Sequence, residues 1–404
     1  MTKTLIVVGS VPGGANVGQI LLRDMLASLP KEDYFVAALL DPKEQSAWQE
    51  QNPEPPANLV FFLNRPSEHA VRPWNNRAGG LWSGLKRRLS YDRQVKILAN
   101  RLEQYIGEVG ITRLWGILNM TTVVDVLFDL GKRCDLPLLT QVWDDIDYLT
   151  QQRGLDSTLR QRTQKRFGHL LAKSVKTAVI CEAMAKHYSK YSGDHCEIIR
   201  HGLADQVTAQ TDYTSPAEFS IGFSGGMYAP EAWQALFEAL AYLNWQVAGK
   251  SIKLVVLSGK ITLPCRSPAN VQYLGWRNTE EVRSYLAQCD LLYVPYPFAS
   301  HLRPLAQLSF PTKLSTYVSL GRPVFAHVPQ YGSLVDFYDK YPLGALCTSL
   351  DAKVIAEKIA ALAEDTNLYE ASAKTVAWVG EKELSQANFV RQVKNFIGAE
   401  AVAG

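Results

Sequence analysis

The chain has 404 residues, enough for two domains of ordinary size, and its 47% hydrophobic and 20% charged residues have the balance of a folded globular protein. A net charge of +3 is too small to mark a nucleic-acid binder, and six cysteines at 134, 181, 196, 265, 289 and 347, with no CxxC pair, read as reduced residues of a cytosolic protein. No apolar run approaches the roughly 18–20 residues of a membrane span, and the four-residue apolar run before Gly9 is too short for a secretion signal.

Short apolar runs alternate with longer helical patterns: TLIVVG (4–9), YFVAAL (34–39), NLVFFL (58–63), RLWGIL (113–118), PLLTQVW (137–143), TAVICE (177–182) and CEIIR (196–200). Continuous apolar strands separated by helices imply a parallel sheet covered on both faces. The first strand runs into GSVPGGANVGQ (9–19), whose glycine spacing is not the G-x-G-x-x-G of dinucleotide folds, although Asp41 ends the second strand where such folds place a ribose-binding acid. From Arg72 to Arg101 there are eight basic residues and one acid, Asp92, with Trp74, Trp82 and Tyr91 interleaved. That mixture suits the headgroup layer of an anionic membrane, and a solvated loop is the plain alternative.

QVWDDIDYL (141–149) then sets three carboxylates directly after a strand. A carboxylate there can accept a hydroxyl proton with its pKa raised by its neighbours, or the cluster can simply cap a helix. The stretch at 206–218 is polar and aperiodic and reads as a linker between domains 1–205 and 219–384. A second strand series follows it: FSIGFS (219–224), KLVVLS (253–258), VQYLG (271–275), DLLYVP (290–295), PVFAH (323–327) and ALCTS (345–349). In SFPTKLSTYVSLGRP (309–323), Lys313 stands in the first turn of a short helix, where the helix dipole disfavours a cation unless an anion is bound there. A last helix, in 385–404, is expected to cross back to the first domain.

Four segments, in order, resemble the GT-B glycosyltransferases of group 1 (family 4-like). They are ICEAMAKHYSKYSGDHCEIIRHGL (180–203), IGFSGGMYAPEAWQALFEAL (221–240), VQYLGWRNTEEVRSYLAQCDLLYVPY (271–296) and FPTKLSTYVSLGRPVFAH (310–327). The resemblance implies an α/β protein of two Rossmann-like doubly wound domains facing a cleft. It implies a nucleotide-sugar donor in the C-terminal domain, a glycan, lipid-linked or small-molecule acceptor on the N-terminal one, and transfer of a hexosyl or related sugar with retention. Ser224, Gly225, Gly226, Arg303, Thr312, Lys313 and Thr316 become the donor-binding candidates. Gly13, Gly14 and Asn16 become acceptor-side candidates, and Asp144, Asp145 and His201 the catalytic ones. Asp145-Ile146-Asp147 spells D-x-D, but the family neutralises the diphosphate with protein groups, so neither metal nor cofactor is expected.

Two departures stand out. The family's usual Arg and nearby Lys of the glycine-rich turn are replaced by Gly226 or Met227 and then Pro230-Glu231-Ala232, and its ribose-binding Glu aligns with Thr316. These losses keep open a non-catalytic sugar-nucleotide or glycan-binding homologue, and a Rossmann-type NAD(P)-dependent oxidoreductase stands third. The expected location is the cytoplasm, with peripheral contact at the inner membrane face through 72–101 and no nucleic-acid partner.

Overall fold

The computed structural model describes residues 2–14, 16–62, 64–66, 68, 80–193, 195–203 and 206–398, with side chains of the long helix starting at residue 86. The chain forms two units, Met1–Ile199 with Gln392–Gly404, and Arg200–Arg391.

In the first unit the apolar runs become seven strands: β1 (Thr4–Val8), β2 (Tyr34–Leu39), β3 (Leu59–Phe62), β4 (Arg113–Ile117), β5 (Leu138–Gln141), β6 (Lys176–Val179) and β7 (Cys196–Ile198). They pair in the order β3-β2-β1-β4-β5-β6-β7, every pairing parallel. All five residues of β1 are buried, as a central strand covered on both faces requires. Asp41 does not sit free at a strand end. Its carboxylate accepts from the amides of Lys43 and Glu44 in a capping box that starts helix Pro42–Gln51, so the ribose-acid reading of this residue falls away. Arg65 pins the carboxyl ends of neighbouring strands, donating to the carbonyls of Gly9 (3.4 Å) and Leu39 (3.3 Å) and to Glu44 (2.7 Å).

The second unit repeats the plan with β8 (Glu218–Ser224), β9 (Gln246–Val247), β10 (Lys250–Leu257), β11 (Val271–Tyr273), β12 (Leu291–Pro295), β13 (Val324–His327) and β14 (Leu346–Cys347). The order is β11-β10-β8-β12-β13-β14, parallel throughout, with the two-residue β9 antiparallel to β10. Phe219, Ile221, Phe223, Trp233, Leu254 and Tyr293 lie in one buried core.

The polar stretch 206–218 is fastened to this second unit. Fully buried Asp290 accepts from the amide (2.6 Å) and hydroxyl (2.9 Å) of Thr214 and from the amide (2.7 Å) and hydroxyl (2.8 Å) of Ser220. Arg322 donates to the Asp212 carbonyl (2.6 Å), and the Tyr213 hydroxyl to the Leu362 carbonyl (3.0 Å). The stretch is therefore a strap anchored to the domain at Asp212, Tyr213 and Thr214, with exposed side chains on either side of them. The last helix, Gln386–Ile397, begins in the second unit and ends in the first. There Phe396 packs edge-on against Trp115 (5.3 Å), and Arg113 donates to the Ile397 carbonyl (2.7 Å).

Candidate functional site

Open parallel sheets bind ligands outside the carboxyl ends of the strands, where the strand order reverses. In the second unit that point lies between β8 and β12, flanked by the turn 225–229 and the loop 296–303. The turn is held from several sides. Tyr317, buried, accepts from the Ser224 amide at 2.8 Å, the Gly225 amide donates to the Leu257 carbonyl (3.0 Å), and Ser258 donates to the Gly225 carbonyl (2.8 Å). Gly225 has φ +110, a conformation that L side chains rarely adopt. The amides of Ser224 and Gly225 are thus already used, and the donors the turn still offers are those of Gly226 and Met227, which meet no acceptor among the described residues. Helix Pro230–Tyr242 follows with no side-chain cap at Ala229, and Glu231 in its first turn accepts from the Ala299 amide (2.6 Å), tying the two loops together.

Lys313 projects into this turn from helix Thr312–Val318. Its stem is half-exposed, but its ammonium is buried and has no hydrogen-bond partner among the described residues. The Nζ lies 4.3 Å from the Phe223 ring centroid and 5.2 Å from that of Tyr228, and a Cβ on Gly225 would come within 3.3 Å of it. Ring faces offset part of the lost hydration. They do not replace an anion, and burial pulls the Lys313 pKa from 10.5 to about 7. A cation with no counter-ion beside two free amides is chemically suited to an anionic oxygen.

The other donor-side candidates are less concentrated. Thr316, half-buried on the same helix, makes no side-chain hydrogen bond among the described residues, whereas Thr312 is exposed at the helix start, with Pro311 as its N-cap. Arg303 is exposed at the start of helix Arg303–Leu308, stacked 4.6 Å over the Tyr331 ring. His201 packs edge-on against Phe389 (5.2 Å), and its carbonyl accepts from Ser315 (2.6 Å), which anchors the Lys313 helix. His327, at the end of β13, is held between the Tyr293 hydroxyl (2.9 Å) and the Ser349 carbonyl (2.8 Å). Burial lowers its pKa to about 4, so it is a neutral core group. A cavity of about 610 Å³, lined by Lys253, Gln272, Tyr285 and Arg322 among others, opens at the amino-terminal side of the same sheet and is a separate feature.

In the first unit the order reverses between β1 and β4. Asn16 caps helix Val17–Ala27 by accepting from the Gln19 amide (3.0 Å), and the Gly13 amide donates to the Gln19 carbonyl (3.2 Å). Gly14 is exposed with open space around it. The three aspartates after β5 separate by role. Asp145 accepts from the Tyr148 amide (2.9 Å) and the Tyr188 hydroxyl (2.7 Å), so both oxygens hold structure. Asp147 is paired with Arg160 (2.8 Å). Asp144 makes no hydrogen bond among the described residues. Burial raises its pKa, the Arg153 charge opposes that rise, and Asp145 adds to it. Arg153 is itself paired with buried Glu68 and donates to the Asn119 carbonyl (3.2 Å), while Glu68 also accepts from the Thr122 amide (2.8 Å). The sequence reading did not single out Glu68, Arg153, Phe223, Tyr228 or Tyr317. Only Phe223 and Tyr228, flanking the glycine pair, carried a local hint.

Residues 218–365 match the family model described as "Glycosyl transferases group 1". No curated protein matches the chain. Among solved structures, Anabaena HepE in complex with UDP is similar at 16% identity, covering 99% of this chain and 100% of that one with a TM-score of 0.63. Sucrose-phosphate synthase from Thermosynechococcus elongatus matches at 14% identity, 99% coverage of both chains and a TM-score of 0.64. A UDP-forming α,α-trehalose-phosphate synthase from Burkholderia vietnamiensis matches at 11% identity, full coverage of both and a TM-score of 0.64. At these identities the likeness is one of fold.

Proposed function

We propose that this chain, whose fold is similar to that of GT-B glycosyltransferases and whose residues 218–365 match the group 1 model, is a glycosyltransferase that moves a hexosyl unit, with retention, from a nucleoside-diphosphate sugar held at the Lys313 turn to an acceptor hydroxyl. One observation carries this reading: the buried Lys313 ammonium, without a counter-ion, beside the free amides of Gly226 and Met227. When the bond from the anomeric carbon to the diphosphate oxygen breaks, negative charge grows on that oxygen. A preorganised cation and amides in a site shielded from water stabilise such charge more than water does. Lys313 takes the place of the missing Arg and Lys pair, the uncapped start of helix Pro230–Tyr242 adds its dipole, and no metal is assigned to the diphosphate. Thr316 offers the ribose a neutral hydrogen bond. On the acceptor side, Asp144 takes the proton of the attacking hydroxyl, for which a raised pKa is suited. UDP-glucose is the first donor to try, since Anabaena HepE is solved with it.

Titration calorimetry with UDP-, GDP- and ADP-sugars, together with a turnover assay, tests the reading. Saturable binding of one donor, weakened by Lys313→Ala, with release of nucleoside diphosphate, is expected. Affinity unchanged by that substitution would remove Lys313 from the site. The loss of the family's Arg, at Gly226 or Met227, and of its Glu, at Thr316, favours a second reading, a sugar-nucleotide binder without turnover. Binding with no transfer or hydrolysis across the panel would establish it.

A further inference from the structure

The 72–101 segment was expected to meet an anionic membrane. Residues 69–79, with Arg72, Trp74 and Arg77, and the side chain of Trp82 lie outside the described residues, so the argument rests on the described part of helix Gly80–Val109. Along it Lys86, Leu89, Arg93, Lys96, Ile97 and Arg101 are all exposed, at spacings of three and four that put them on one face. Leu89 is 60% and Ile97 46% accessible, unusual for large aliphatic side chains on a helix that buries Tyr91, Val95, Leu98 and Leu102 on its other side.

The charges around this face are unequally matched. Asp125, fully buried, accepts from Tyr91 (3.1 Å), Arg162 (3.1 Å) and Arg166 (2.9 Å), and Asp92 is paired with Arg162 (2.8 Å). Asp129 is paired with Arg133 (3.1 Å). Each nearby carboxylate is therefore neutralised from within the domain, while Arg93 and Lys96 make no ion pair or hydrogen bond among the described residues. Between the helices lies a groove of about 460 Å³ lined by Leu89, Asp92, Arg93, Val95, Lys96, Asp129 and Arg166.

We propose that this groove seats the phosphate of an anionic phospholipid between Arg93 and Lys96, with Leu89 and Ile97 entering the headgroup boundary, so that the N-terminal unit docks on a negatively charged bilayer. A nucleic-acid groove would reward the cations but not two exposed aliphatic side chains, whereas an interfacial helix uses both. The proposal is independent of the transfer reading, because it concerns where the chain sits and not what it transfers.

Sedimentation of the full chain with phosphatidylglycerol vesicles, and with phosphatidylcholine vesicles as the neutral control, tests it. Binding to the anionic vesicles only, at low salt, is expected, with affinity falling about fivefold for each cation removed in Arg93→Ala and Lys96→Ala. Leu89→Ser with Ile97→Ser is expected to abolish the part of the binding that survives at high salt. All four positions are exposed, so circular dichroism should show the variants folded. Equal binding to both lipids, binding indifferent to Arg93→Ala/Lys96→Ala, or no sedimentation with either would overturn the proposal. So would capture of a single-stranded oligonucleotide in place of vesicles, or a self-association lost with the Leu89 and Ile97 changes.

Discussion

Both sheets reverse their strand order beside a first strand, at β1/β4 and at β8/β12, yet the two reversals treat charge in opposite ways. In the second unit a lysine is buried between two rings with no anion to meet it. In the first, Glu68, Arg153, Asp145 and Asp147 are each matched by a partner, and of the three aspartates after β5 Asp144 is the one that makes no hydrogen bond among the described residues. The same topology thus leaves an unpaired buried ammonium at one edge and a set of paired charges at the other. A buried charge with no partner costs stability and is retained where function uses it, which makes Lys313 the more informative residue of the two.

The largest effect should come from the free carboxylate. Asp144→Asn is expected to lower turnover by about 10²–10⁴ while leaving donor affinity unchanged, as loss of a proton acceptor would. Steady-state kinetics beside calorimetry checks this, and unaltered turnover would reduce Asp144 to a bystander. Next come the paired charges. Glu68→Ala removes the carboxylate that pairs with Arg153 and accepts from the Thr122 amide, and is expected to destabilise the first unit by about 3 kcal/mol, read as a lower denaturant midpoint. A midpoint that does not move would mean that water replaces the pair without loss.

Lys313→Met sharpens the contrast, because it should act in opposite directions on binding and stability. Nucleoside-diphosphate affinity should fall by about 1.5–3 kcal/mol, the range of a charged hydrogen bond, while the unliganded melting temperature rises as a buried cation is removed. A fall in both would show that the ammonium is held by something in the chain. The smallest effect is on pH. The folded pKa of Lys313, about 7, lies below the ordinary 10.5, so between these values the unfolded chain binds more protons and stability rises with pH. Donor affinity should move the other way above pH 7, since the anion needs the protonated amine. Lys313→Met should flatten both slopes, and parallel slopes in wild type and variant would place the titration elsewhere.

Much of this architecture could be read from the chain, for a physical reason. Central parallel strands are buried on both faces, so they appear as uninterrupted apolar runs, and the six parallel strands of the second sheet follow the runs from FSIGFS to ALCTS. The antiparallel β9, paired only with β10, is Gln246–Val247 and carries no apolar run. The stretch 206–218 reads as a linker, and its anchoring to Asp290 is not legible, because polar residues look alike whether water or a buried carboxylate satisfies them. Lys313 was conspicuous because a cation in a first helical turn is out of place. Its rings, Phe223 and Tyr228, belong to another element and could not be assigned to it from spacing. The Glu68–Arg153 pair, separated by 85 positions, left no local trace at all.

The dry environment of Lys313 also changes what kind of reagent this residue is. An ordinary lysine is almost wholly ammonium at neutral pH and therefore condenses only slowly with carbonyl compounds. With its pKa lowered by burial to about 7, Lys313 carries a free electron pair far more often than an ordinary lysine does in neutral buffer. Such an amine condenses with aldehydes to form an imine, and an aldehyde that also bears a phosphate would be drawn to the same turn. Reductive trapping with pyridoxal phosphate should therefore mark Lys313 ahead of the surface lysines, and a bound nucleotide should protect it, which turns an electrostatic vacancy into a covalent handle on the donor pocket.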